Sequence, residues 1–219
     1  MPLKLYAHPF SSYCQKVLIA LYENDIPFEY RQLTPEEPQN METLARLWPF
    51  KRFPVLEDGD RAIAESSVII EYLHLSHRGP VALLPEDDHA AVEVRFMDRF
   101  FDLDIMTPQA KVVIDCLRPE DSRDPFGVSD AQQRLETAYR WLDTRLKGRT
   151  WAAGDAFSLA DCAAAPALFY ADWTHPIDPG FANVHAYRQR LLRRPSFARA
   201  VEEARPYRPL FPLGAPDRD

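Results

Sequence analysis

The chain has 219 residues, of which 46% are hydrophobic and 27% charged, and its formal net charge is −7. This is ordinary globular usage, enough for one large or two small domains, and it excludes a disordered chain. An acidic balance without a concentrated basic field argues against nucleic-acid binding, and no apolar run approaches the ~20 residues that span a bilayer.

Leu3-Lys4-Leu5-Tyr6-Ala7 reads as a short strand, broken by His8-Pro9. Ser11-Ser12-Tyr13-Cys14 then opens a segment in which Val17, Leu18 and Leu21 recur at helical spacing. The serines therefore stand where a strand hands over to a helix. The first backbone N–H groups there have no intrahelical partner, and the aligned peptide dipoles favour an anion such as a thiolate. A serine at that point is equally a plain helix cap. Ser11-x-x-Cys14 keeps the C-x-x-C frame with its first cysteine replaced, so it cannot start disulfide exchange but can donate a hydrogen bond to another molecule's thiolate.

Asn24-Asp25-Ile26-Pro27 stops this helix, and Phe28 to Leu33 alternates apolar with polar as a strand does. A Pro-rich loop, Pro35 to Pro38, leads into a short helix carrying Met41, Leu44 and Leu47, which Pro49 ends. The runs Phe53 to Glu57 and Arg61 to Ala64 flank Asp58-Gly59, a hairpin signal because glycine takes up positive φ cheaply. Glu65-Ser66-Ser67 caps a helix with Val68, Ile69, Tyr72 and Leu73. The order strand, helix, strand, helix, hairpin, helix makes a small α/β unit ending near His77.

Arg78-Gly79-Pro80 and Leu84 to Asp88 read as a connector, and no convincing strand follows. Phe96, Phe100 and Leu103 keep helical spacing, as do Leu135, Ala138, Leu142 and Leu146, and later Val184, Tyr187 and Leu191. Ser158-Leu159-Ala160-Asp161 is a capping box, a folding device. Pro166 is expected to bend or disrupt its helix, and Arg190, Arg193 and Arg194 are expected on a solvated face. The tail from Pro206 is expected to lie over the surface. Three scattered cysteines, Cys14, Cys116 and Cys162, argue against a disulfide framework and fit a reducing compartment. The opening residues lack the pattern of a secretory signal, so a cytoplasmic location is expected. Histidine and cysteine show no ligand spacing and no phosphate loop appears, so neither a metal nor a nucleotide is expected.

The Ser-x-x-Cys helix start, Phe53-Pro54 before a short strand, the Asp58-Gly59 hairpin, Glu65-Ser66 opening a helix and an all-helical remainder, in that order, resemble the cytosolic glutathione S-transferase superfamily. The resemblance covers almost the whole chain. Ser11 to Val17 is most similar to the serine-type members, the theta and zeta classes. This implies an α/β thioredoxin-like N-terminal domain (βαβαββα) over residues 1–78, a linker over 79–87 and an all-α domain over 88–219.

It further implies a transferase in which Ser11 donates its hydroxyl hydrogen bond to the sulfur of the co-substrate glutathione, for attack on a hydrophobic electrophile. Ser12 is then the helix cap and Cys14 a packed first-turn residue. Phe53-Pro54 matches the family's residue-plus-cis-proline step, whose backbone pairs with the cysteinyl part of glutathione. Ser66 takes the γ-glutamyl carboxylate and Glu65 its ammonium; Arg52 is either a partner of the glycine carboxylate or simply solvated. Trp48 stands before Pro49 where the family usually has Asn, and Phe53 stands where it usually has a small aliphatic residue.

The electrophile is expected between the domains, against a helix from Ala90 to Ile114, with Phe10, Phe101 and Met106 as candidate lining residues. Such a stripe also reads as core. His8 beside Pro9 reads as structural. The resemblance implies a homodimer. Isomerase and dehalogenase activities share the activated sulfur, a non-catalytic binding module is the alternative of another class, and exchange chemistry at Cys14 ranks below these because the attacking first cysteine is absent.

Overall fold

The computed structural model describes residues 2–219. Its first part is β1 (Leu3–Ala7), α1 (Ser12–Glu23), β2 (Phe28–Gln32), α2 (Pro38–Leu47), β3 (Val55–Asp58), β4 (Arg61–Ala64) and α3 (Ser66–Ser76). The strands form one sheet in the order β2-β1-β3-β4, with β1 parallel to β2 and the other pairs antiparallel. Leu5, at the centre, pairs with Tyr30 on one side and Leu56 on the other. The hairpin turns through Gly59 at φ +59, where a side chain on any other residue would be strained. The helix α2 begins at Pro38 itself rather than after it, because proline's fixed φ and missing N–H suit the first helical position.

Beyond the connector come α4 (Asp88–Phe100), α5 (Thr107–Cys116), α6 (Pro125–Leu146), α7 (Leu159–Thr174), α8 (Ala182–Leu192) and α9 (Pro195–Ala204). The sheet unit and the helical remainder are those of a thioredoxin-like domain followed by an all-α domain. The single helix expected from Ala90 to Ile114 is instead two helices joined by a wide turn, Phe101–Met106, in which the Thr107 amide reaches back to the Asp102 carbonyl. Pro108 gives the reason: inside a regular helix its ring would clash with a carbonyl one turn back, and here it falls in the first turn of α5. No helix among the described residues is long and apolar enough to cross a membrane.

Val17 to Leu21 on α1 are wholly buried between the sheet and the helical half, so the two halves share one continuous core. Arg194 belongs to that junction and not to a solvated face: it pairs with Glu23 at 2.5 Å and lies 3.8 Å over the Phe157 ring. Arg188, also buried, pairs with Asp172 at 3.2 Å. Pro166 does not break α7, which runs unbroken through it; the helix is buried from Leu159 to Trp173, and packing on every side holds it where propensity alone would not. The tail is anchored at Phe211, which packs edge-on against Trp173 with centroids 5.4 Å apart.

Asp161 is the polar centre of the helical half. Its buried carboxylate accepts the Ser158 amide at 2.9 Å, closing the capping box, together with the Ala152 amide at 2.9 Å and the Tyr187 hydroxyl at 2.5 Å. Asp161→Asn replaces an acceptor oxygen by a donor and strands buried N–H and O–H groups at ~1–3 kcal/mol each. The variant is expected to lose about 3 kcal/mol of stability, read as a lowered urea midpoint with an unchanged m-value.

Candidate active site

The loop His8-Pro9-Phe10 carries the chain from β1 into α1 and is pinned from inside. The buried Gln15 amide donates to the Pro9 carbonyl at 3.0 Å and to the Tyr170 hydroxyl at 3.1 Å, and the Phe10 amide donates to His8 Nδ1 at 3.2 Å. His8 is thereby occupied in the loop, with its proton affinity lowered by burial. Ser11 follows as the residue immediately before α1, at φ −85 and ψ 125. It occupies the cap position that the sequence suggested for Ser12, yet its hydroxyl makes no capping hydrogen bond. That hydroxyl has the Cys14 thiol as its near neighbour, and no capping bond to the first turn of α1 engages it.

Cys14, three residues on, is wholly buried. Burial pushes its thiol up to about 12, against partial relief from the Ser11 hydroxyl and from the His8 amide at 3.4 Å. A thiol so placed stays protonated at neutral pH and does not act as a nucleophile.

Ser11 opens onto a cleft of about 580 Å³ between the two halves. One wall comes from the segment before β3 and from the start of α3: Trp48, Lys51, Arg52, Phe53, Pro54, Glu65 and Ser66 line it. The Phe53–Pro54 peptide is cis. Glu65 sits at φ 69, an unfavourable conformation for a non-glycine residue that costs ~1–3 kcal/mol and recurs at functional sites. The other wall is Tyr13 from α1, Arg99 from α4, and Asp102 and Leu103 from the wide turn. Three cationic side chains face two carboxylates here, on a chain whose net charge is −7.

Six of the residues singled out from sequence, Ser11, Arg52, Phe53, Pro54, Glu65 and Ser66, thus border one cleft. The three expected against the electrophile do not. Phe101 is wholly buried in the core and packs edge-on against Phe100; Met106 is likewise buried; and Phe10 is turned into an aromatic cluster with Tyr170 and Trp173. The wide turn reorients this segment, so Leu103 and Asp102 reach the cleft while Phe101 points into the core. Tyr13, Arg99 and Asp102 escaped the sequence reading. Their only local mark is that Tyr13 lies in the first turn beside Ser11.

Beneath the cleft a charged cluster joins both halves. Lys16 of α1, with its side chain 1% exposed, meets Asp98 at 2.5 Å and Asp102 at 2.9 Å and donates to Ser67 at 2.9 Å. Arg99 closes the cluster through Asp98, Asp102 and Ser67. Burial pushes the Asp102 carboxyl up from its ordinary value, and Lys16 pulls it partly back. Lys16→Met leaves two buried carboxylates short of their main cation and is expected to cost about 3–5 kcal/mol at neutral pH. The raised carboxyl sets the sign: the cost grows as pH rises above the ordinary carboxylate range and shrinks below it, as protonation removes the stranded charge. Urea titrations at several pH values check it.

This architecture, a sheet ordered β2-β1-β3-β4 with a cis-proline entering β3 and a helical half across the cleft, is that of a two-domain protein with a thioredoxin-like first domain and an all-α second one. Residues 5–80 match the family model "Glutathione S-transferase, N-terminal domain" and residues 121–190 match "Glutathione S-transferase, C-terminal domain", together well over half the chain. The glutathione S-transferase of Hyoscyamus muticus is 27% identical over 213 residues, spanning 92% of this chain and 99% of that one. Among solved structures, the glutathione S-transferase of Methylobacillus flagellatus with glutathione bound is 26% identical at a TM-score of 0.79, covering 90% of this chain and 98% of the other. That of Methylobacterium radiotolerans, in complex with glutathione sulfonate, is 29% identical at 0.80, covering 92% and 95%. The chain belongs to the cytosolic glutathione S-transferase superfamily and is a glutathione transferase.

Proposed function

We propose that Ser11 activates bound glutathione by donating its hydroxyl hydrogen bond to the sulfur, so that the thiolate attacks an electrophilic carbon in the cleft. The observation that carries this reading is the Ser11 hydroxyl, which makes no capping hydrogen bond although it stands at the mouth of the cleft at the N-terminus of α1. A free thiol titrates near ~8.5, so lowering it by ~2 units needs about 3 kcal/mol of preference for the anion. One hydrogen bond to a charged group at ~1.5–3 kcal/mol and a helix N-terminus at ~0.3–1 kcal/mol supply most of that.

In the same reading residues 1–78 hold glutathione and residues 88–219 supply the electrophile's side of the cleft, with 79–87 as the linker. Glutathione lies with its cysteinyl backbone along Phe53-Pro54, its γ-glutamyl carboxylate on Ser66 and the first amides of α3, and its ammonium on Glu65. Arg52 is paired with the glycine carboxylate. The surplus of cations in the cleft suits a ligand that carries two carboxylates and one ammonium.

Ser11→Ala is expected to lower kcat/KM about 10²-fold, the effect of one lost donor to a charged atom. Removing the donor raises the bound thiol's pKa, so the ascending limb of the pH–rate profile moves to higher pH. Unchanged turnover and an unmoved limb would take Ser11 out of the mechanism. Absence of any thermal shift with glutathione at concentrations far above a millimolar dissociation constant would favour a non-catalytic module instead.

The working unit in this reading is a homodimer. Phe50, 69% exposed on the loop after α2, and the exposed Val68 and Leu75 of α3 are apolar, while Phe96, Phe100 and Trp141 line an aromatic groove between α4 and α6. Two copies that each lay Phe50 into the other's groove cover both patches symmetrically. Trp141→Glu is expected to shift the sedimenting species from dimer to monomer.

A further inference from the structure

A glutamine with no exposed surface sits one turn into α1. The side-chain nitrogen of Gln15 donates to the Pro9 carbonyl at 3.0 Å and to the Tyr170 hydroxyl at 3.1 Å, while its oxygen has no hydrogen-bond partner among the described residues. A buried amide oxygen without a partner costs stability, so core filling does not explain a glutamine here. The use of this residue lies in its two N–H groups. The Pro9 carbonyl only accepts, which is why the nitrogen and not the oxygen faces it.

Those N–H groups hold the turn that leads to Ser11. His8 to Ser11 form a β-turn, closed by the Ser11 amide donating to the His8 carbonyl at 3.0 Å. Its central peptide is gripped at both polar atoms: Gln15 donates to the Pro9 carbonyl, and the Phe10 amide donates to His8 Nδ1 at 3.2 Å. The backbone amide of Gln15 also donates to the Ser11 carbonyl at 2.9 Å, so one residue holds the chain on both sides of the Phe10–Ser11 link. We propose that Gln15 is a positioning residue for the transferase reaction, which aims the Ser11 hydroxyl at the glutathione sulfur by fixing the turn beneath it. This rests on the reading that the thiolate lies at Ser11.

The Ser11 hydroxyl makes no capping bond, so its aim follows the backbone that carries it. A hydrogen bond weakens steeply as its angle departs from linearity, and a displacement of ~1 Å at a reacting group costs up to ~10²-fold in rate. The hold on the turn comes from across the molecule. Tyr170 lies on α7 of the helical half, buried, and packs edge-on against Phe10 with ring centroids 5.4 Å apart. Through Gln15 and through Phe10, α7 therefore braces the turn twice, and the aim of a group in the first domain is set in part by the second.

The test is an ultraviolet titration of glutathione bound to each variant, which reads the pKa of its thiol, alongside kcat and KM with benzyl chloride as the electrophile. Gln15→Leu is expected to raise the bound thiol's pKa by ~1 unit, and so to lower kcat about 10-fold at a pH below it, with KM for glutathione unchanged. The effect is smaller than that of Ser11→Ala because the donor is displaced and not removed. Tyr170→Phe, which leaves Gln15 with the Pro9 carbonyl alone, is expected to shift the titration the same way by less. In the Ser11→Ala background Gln15→Leu is expected to add nothing to the shift, since it acts through the hydroxyl. A Gln15→Leu enzyme whose bound thiol titrates as in the parent overturns the proposal, whatever its melting temperature, as does an equal shift in both backgrounds. If Gln15→Leu fails to fold, Tyr170→Phe carries the test, and an unmoved titration there overturns the proposal. If Ser11→Ala itself leaves the titration unmoved, the thiolate reading falls and this proposal with it, whereas a shift in Ser11→Ala with none in Gln15→Leu removes Gln15 alone.

Discussion

A lysine amine withdrawn from water in the second turn of α1 has to be answered by negative charge, since an unpaired buried ion costs several kcal/mol. Lys16 is answered twice, by Asp98 at the end of α4 and by Asp102 in the wide turn that follows, and a third time by the Ser67 hydroxyl of α3. Three elements from both halves must therefore converge on one point beneath the cleft. That obligation fixes where the N-terminus of α1, with Ser11 and Tyr13, stands relative to the helical wall that bears Arg99 and Leu103.

The wide turn makes the convergence possible. A regular helix through residues 101–106 would have to accommodate Pro108 in its interior, at a cost of ~3 kcal/mol or more. Opening the turn removes that conflict and leaves the Asp102 carbonyl with two donors, the Thr107 amide and the Thr107 hydroxyl at 2.9 Å. It also turns Asp102 toward Lys16 and Arg99 while Phe101 enters the core. A backbone irregularity and a charged cluster thus explain each other.

The same separation of inside from outside distinguishes the two groups of the Ser-x-x-Cys frame. Cys14 faces the core, where desolvation holds its thiol in the neutral form, and Ser11 lies outside the first helical turn with a hydroxyl that makes no capping hydrogen bond. Across the cleft, Glu65 is held at positive φ at the end of the hairpin, so its side chain and that of Ser66 are presented from the start of α3. The cleft is more cationic than the protein as a whole because its walls gather Lys51, Arg52 and Arg99 from loops and helix ends.

The features legible in the sequence are those whose causes lie within a few residues of chain. Alternation at Phe28–Gln32, the glycine turn at Gly59, the capping box of Ser158 and Asp161, and the strand-to-helix junction at Ser11 each follow from local sterics and local hydrogen bonds. Their order sufficed for the fold class and for singling out Ser11, Arg52, Phe53, Pro54, Glu65 and Ser66, which sit at or near element ends and border one cleft. The tertiary structure decided what depends on partners far along the chain. That Lys16 meets residues more than eighty positions away, that Arg194 clamps the halves together, that Pro166 is carried by a helix packed on all sides, and that Tyr13 and Arg99 share a wall with Ser11 are all consequences of packing. Local periodicity places a side chain on a face of its helix, but only the assembled core determines what that face meets.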